Sequence, residues 1–250
     1  MILVIASREW RSLFLSPLAW TLLAVVQFIL TWVFLLLVED FINRQSQWLG
    51  LEGAPGITDL IVAPLLRVAA WLLLLLTPLL TMRLISEERR SRTLDLLLSA
   101  PLAMHEIVLG KYLGLLGFLV LLIALIALLP LALLAGGALD PGKLLAGLLG
   151  LVLLVGSFTA AGLYLSTLTA QPVVAAVATF GLLLLLWIID AAGETRQETS
   201  GLFAYLSLFR HYHSLLMGLF NSADVAYYLL FSSAFLGLAI RRLDNQRLQH

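Results

Sequence analysis

"SEERRSRTLDLLLSAPLAMHEIVLGKY", residues 86–112, places eight Lys, Arg, Asp and Glu side chains between two long apolar runs. The rest of the chain avoids charge: 12% of its 250 residues are charged, 61% are hydrophobic, and mean hydropathy is +1.02. A water-soluble fold of this composition would expose large apolar patches, so the chain reads as an all-α polytopic membrane protein. About 20 helical residues cross a hydrocarbon core of about 30 Å. A charged segment of this density, in a chain that otherwise avoids charge, needs a reason.

Working outward, six apolar runs are expected to span the membrane: residues 18–38, 61–85, 107–135, 144–168, 173–189 and 225–240. Pro78 should kink the second, and Arg67 and Arg83 bracket its apolar core, where both can snorkel to opposite interfaces. Residues 1–17 put Leu3, Ala6, Trp10, Leu13 and Phe14 on one helical face and Ser7, Arg8, Arg11 and Ser12 on the other. That pattern fits an interfacial elbow helix ending at Pro17, or the start of the first span; Trp10 and the two arginines favour the interface. The start of the chain has no basic stretch ahead of a full apolar core, so a cleaved signal is not expected. The chain forms one transmembrane domain.

Orientation follows from basic residues. With the N-terminus inside, Arg8, Arg11, Arg83, Arg89, Arg90, Arg92, Lys111, Arg241, Arg242 and Arg247 fall on the cytoplasmic side. Arg44, Lys143, Arg196 and Arg210 fall outside, beside nine acids. Ten against four puts both termini and residues 86–106 in the cytoplasm. Residues 190–224 form an outer connection too apolar for a solvated linker, expected to lie on the membrane surface or re-enter it.

Most catalytic patterns fail. "GALDPGK", residues 137–143, has Leu144 where a phosphate-binding loop needs Ser or Thr, and no strand precedes it; a tight turn fits better. His211 and His213 are two residues apart, so they leave a helix on different faces, and no metal site is expected. There is no Cys, hence no thiolate chemistry. Ionisable groups are almost missing from the spans, which counts against a proton-coupled or ion-coupled carrier. The polar side chains that remain there, Gln27, Thr31, Thr77 and Thr179, with Arg67 at one end, are the candidates for a pathway or outer interface. Gly110 and Gly114, with the small-residue run at 156–162, have the spacing of closely packed helices.

Within the charged segment, Thr93 suits an N-cap and Asp95 the positive end of a short helix, with Leu94, Leu97 and Leu98 on its apolar face and Pro101 ending it. Two readings stay open from these residues: a docking knob for a protein, or a loop whose leucines rest on lipid headgroups. Glu87, Glu88, Asp95 and Glu106 would repel anionic lipid, and mixed signs suit a protein better.

The run "PLLTMRLISEERRSRTLDLLLSAPLAMHEIVLGKYLG" resembles the permease subunits of type-2 ABC exporters, in particular their gliding-motility-associated branch. The matching pieces are residues 78–83, Glu87, Glu88 and Arg89, residues 93–101, and Gly110 with Lys111. "HYHSLLMGLFNSADVAYYLLFSSAFLGLAIRRL" is similar to the family's closing segment, with Gly218, Asp224, Tyr227 and Tyr228 in place. The resemblance implies a coupling helix seated in a separate cytoplasmic ATPase, through Glu87, Glu88, Arg89, Thr93, Leu94, Leu97, Leu98 and Pro101. It implies that ATP and Mg²⁺ are bound by that ATPase and not by this chain, which has no catalytic residues of its own. It also implies a second permease copy or relative, an inner-membrane location, and room for a periplasmic accessory protein. The competing readings are an ATP-independent carrier or channel, and a membrane scaffold that relays motion to a periplasmic partner.

Overall fold

The computed structural model describes residues 1–48, 56–92, 103–135, 139–195 and 207–247, and every regular element among them is helical. The elements are α1 (Ile2–Leu15), α2 (Pro17–Trp48), a π-helical turn (Thr58–Val62), α3 (Ala63–Thr81) and α4 (Ser86–Arg90). There follow α5 (Met104–Leu131), α6 (Pro141–Leu168), α7 (Pro172–Thr195), α8 (Leu208–Leu216) and α9 (Ser222–Arg247). Among the described residues, five stretches are long and apolar enough to cross a membrane: Pro17–Gln45, Thr58–Arg90, Met104–Leu134, Pro141–Leu168 and Ser222–Arg247. The apolar part of α7, Pro172–Ile188, is shorter than these.

α1 is a helix in its own right. Ser16 is extended, as a residue before proline must be, and Pro17 starts α2 where its missing N–H costs nothing. α1 packs along the first half of α5. A methyl on Gly110 would come within 2.6 Å of Ile5 Cβ, and one on Gly114 within 2.7 Å of Glu9 Cβ, so these two glycines are what let the helices approach. The buried side of α1 differs from the expected face at Leu3, which is 78% exposed. Ala6, Trp10, Leu13 and Phe14 of the expected face do lie on the packed side, where Ile5 and Glu9 join them along the glycine groove of α5, with Trp10 against Gly117.

The second span, expected to kink at Pro78, is interrupted a few residues later. α3 stops at Thr81, residues 82–85 form turns, and α4 begins at Ser86, so the helix does not run unbroken into the charged segment. Pro78 removes one backbone donor near that end. The joint is held from α6: the Ser166 hydroxyl accepts the N–H groups of Ile85 at 3.1 Å and Ser86 at 3.0 Å and donates to the Met82 carbonyl at 3.3 Å. One hydroxyl thereby satisfies three backbone groups that the break exposes.

α6 is the central element, packed against α3, α5, α7, α8 and α9. Its small-residue run at 156–162 serves contacts inside this chain. A methyl on Gly162 would meet Thr81 Cβ at 2.7 Å, and one on Gly156 the Tyr112 hydroxyl at 3.0 Å. At its start, Asp140 caps the helix by accepting from the N–H groups of Gly142 and Lys143, and Pro141 occupies the first turn. Residues 140–143 thus open a capped helix.

The close α3–α6 contact predicts that Gly162→Val costs about 1–3 kcal/mol by overpacking. Thermal unfolding in detergent should show a lower midpoint for that variant. Gly181→Ala, at a site with nothing within 4 Å, should leave the midpoint unchanged or raise it.

Candidate functional site

The ends of α3 and α6, the starts of α2, α5 and α7, and the close of α9 lie together, with α1 and α4, at one end of the bundle. This end carries the ten basic residues counted above and is called the basic end. Its centre is Lys111, 3% exposed, one turn inside the apolar run of α5. An ammonium removed from water costs far more than a fold can carry unless it is paired. Lys111 Nζ donates to Glu9 Oε1 at 2.6 Å and to Glu88 Oε1 at 2.8 Å. Glu9 comes from α1 and Glu88 from α4, and both carboxylates are about a fifth exposed. The cation joins three elements that are distant in sequence.

The rest of α4 is wired in the same way. Ile85 and Ser86 hang on Ser166 of α6. Glu87 lies 3.9 Å from Arg83, a long and exposed pair worth little. Arg89 Nη2 donates to Gln246 Oε1 of α9 at 2.6 Å. After α4 the chain turns at Arg92, which takes a left-handed φ of 57°, a conformation that costs a non-glycine residue roughly 1 kcal/mol. A five-residue helix is thereby tied to α1, α5, α6 and α9.

Of the residues expected to couple, Glu87, Glu88 and Arg89 sit on this tied helix. Thr93, Leu94, Leu97, Leu98 and Pro101 lie outside the described residues. The five pathway candidates are not joined to one another by any hydrogen bond. Thr77 and Thr179 donate to the carbonyls of Leu73 and Ala175 in their own helices, at 2.6 and 2.7 Å. Gln27 Nε2 reaches the Leu125 carbonyl of α5 at 3.5 Å, and its buried Oε1 has no partner among the described residues. Thr31 is half-buried on α2. Arg67 does more than snorkel: its Nη2 donates to His213 Nδ1 at 3.2 Å.

That contact belongs to the opposite end, where α8 tucks against α6 with Leu208, His211, Tyr212, Leu215 and Leu216 buried. Tyr212 donates to the Leu66 carbonyl at 3.0 Å, and burial holds its phenol well above the ordinary value, so it stays a donor. His211 pairs with Asp224 at 2.6 Å and stacks on Tyr227 with centroids 4.2 Å apart. The two histidines thus part company, one to Asp224 and one to Arg67. Gly218, at φ 78°, closes α8: its N–H meets the Leu215 carbonyl and that of Leu219 meets Ser214.

Sequence reasoning did not single out Glu9, Lys111 or Ser166 as working residues. Two signals could have found the first pair: Glu9 is the sole acid in α1, and Lys111 is the one charge within an otherwise apolar run.

A family model described as ABC-2 family transporter protein matches residues 3–247. No curated protein matches the chain.

Lys111→Met should leave two carboxylates facing each other across the missing cation, at a cost on the order of 3 kcal/mol. A lower unfolding midpoint in detergent is the expected result. Adding Glu9→Gln and Glu88→Gln should restore most of the loss, and a triple variant as unstable as Lys111→Met alone would mean that the charges are not what joins the three elements.

Proposed function

Because the chain belongs to the ABC-2 family of transporter proteins, we propose that it is the permease subunit of an ATP-driven exporter or mechanotransmission complex, driven through residues 86–106 by a separate cytoplasmic ABC ATPase. That ATPase binds ATP and Mg²⁺, and this chain supplies the lever and the path. The basic end faces the cytoplasm by the excess of Lys and Arg there. α7 completes six crossings, and a second permease copy or a relative faces this one across the pathway. The gliding-motility-associated branch remains our assignment on the motif at residues 78–111. The complex sits in the inner membrane and has room for a periplasmic accessory protein.

The observation that carries this reading is the wiring of α4. Its side chains and first backbone N–H tie this charged, five-residue helix directly to α5, α6 and α9, and through Lys111 to Glu9 of α1. A loop that only retains the protein on one side of a membrane has no need of such ties, whereas an element that receives force does. Glu87 is solvent-facing on that helix, and the leucines expected to dock follow within a few residues.

Leu97→Asp is expected to insert normally and to lower ATP-dependent activity of the assembled complex by about tenfold or more, or 1.4 kcal/mol and upward of lost coupling; Glu88→Arg, which also takes a carboxylate from the buried Lys111, should lower activity and the unfolding midpoint together. Normal co-purification with the ATPase together with full activity in both variants would sink the coupling assignment. The purified chain alone is expected to hydrolyse no ATP; turnover that survives removal of contaminating ATPases would overturn the division of labour.

A further inference from the structure

A cleft of about 330 Å³ opens at the basic end between α1, the start of α2, the end of α3 and α4. Its floor includes Lys111 with Glu9 and Glu88, which are already committed to one another and together carry one negative charge. The charged groups left on its walls are Arg8, Arg83 and Glu87, which together carry one positive charge. The cleft is therefore neutral overall but divided into two signs.

The order of these groups is informative. Down the chain on one wall come Leu79 and Leu80, then Arg83, then Glu87. The facing wall runs in the opposite chain direction through Leu18, Ser16 and Ser12 to Arg8. Leu18 and Leu79 belong to the membrane-crossing stretches Pro17–Gln45 and Thr58–Arg90, and Leu79 is 44% exposed. The cleft thus passes from a surface that acyl chains cover, through hydroxyls and the Arg83 guanidinium, to the Glu87 carboxylate at the aqueous side, where Arg8 ends the facing wall. A phospholipid with an ethanolamine headgroup has the same order: acyl chains, phosphate, ammonium.

We propose that this cleft is a binding site for the headgroup of a zwitterionic phospholipid bearing a primary ammonium. Arg83 and Arg8 hold the phosphate, with the Ser12 hydroxyl as a further donor. Glu87 takes the ammonium, which can give it a hydrogen bond where a choline headgroup cannot. The long Arg83–Glu87 contact at 3.9 Å leaves both groups available to the ligand. Phosphatidylglycerol fits less well, because its neutral glycerol puts no positive charge against Glu87, and its phosphate charge is left unbalanced beside Glu87 and the negative floor. A segment of a water-borne protein fits less well too, because the upper walls lie on the membrane-crossing stretches. This site does not depend on the ATPase reading.

The test is native mass spectrometry of the full chain in detergent after exchange with vesicles of equimolar phosphatidylethanolamine, phosphatidylglycerol and phosphatidylcholine. Retention of phosphatidylethanolamine over the other two by about tenfold is expected, with Arg83→Gln lowering total retention by a similar factor. Glu87→Gln should keep phospholipid bound but abolish the preference for ethanolamine over choline. Both side chains are about half exposed, so neither change should shift the unfolding midpoint, which serves as the control for folding. Preference for phosphatidylglycerol, no retained lipid, retention indifferent to both variants, or a structure of the complex in which a protein segment fills the cleft would each overturn the proposal.

Discussion

The basic end depends on one ammonium. Lys111 is almost fully removed from water, and its charge is tolerable only while Glu9 and Glu88 remain in place. That requirement runs in both directions. Glu9 sets the register of α1 on α5, where Gly110 and Gly114 admit it, and Glu88 fixes α4 under the bundle. Replacing such a triad with apolar side chains of equal volume often costs a protein nothing, so its value here is positional more than energetic. It specifies which three elements meet, at a place where apolar packing alone would allow α1 to slide along its groove.

The two ends of the bundle solve the same problem by different means. At the basic end, charges and one serine hydroxyl bind short elements to long ones. At the opposite end, Thr58 accepts from the N–H of Asp140, Lys143 pairs with Asp59 at 2.8 Å, and Tyr212 and Tyr228 donate to the carbonyls of Leu66 and Leu208. Between the ends the spans meet through leucine, alanine and glycine, and their threonines turn back on their own helices. Interhelical hydrogen bonds in a membrane give little net energy, whereas close contact between small residues gives a great deal of dispersion. The polar ties are accordingly concentrated where water is near.

Sequence periodicity was enough to find the long apolar helices, because a run such as 144–168 has no soluble alternative. It was enough to separate α1 from α2, because Pro17 forbids a continuous helix through Ser16. It did not find the break at residues 82–85, since "TMRLISEE" holds no Pro or Gly to mark one and the interruption is stabilised by Ser166, about 80 positions away. The face of α1 was misjudged at Leu3 for a related reason: hydrophobicity identifies an apolar side but not the glycine groove that selects a stripe. The site was half legible. Glu87, Glu88 and Arg89 stand out as charge in an apolar chain, while the significance of Lys111 requires knowing that two acids from other elements converge on it.

The break in the second span changes how force would travel. A continuous helix from α3 into α4 would act as a rod, tilting as one body when its end is moved. With residues 82–85 forming turns, α4 is not a plain continuation of the α3 helix, and its polar ties run sideways, through Ser166 to α6 and through Lys111 to α5 and α1. α6 is the element most extensively packed against the others, so a movement delivered there reaches α3, α7, α8 and α9 together. The short exposed α4, weak in itself at five residues, is thereby attached at the point in the bundle from which the largest number of helices can be moved at once.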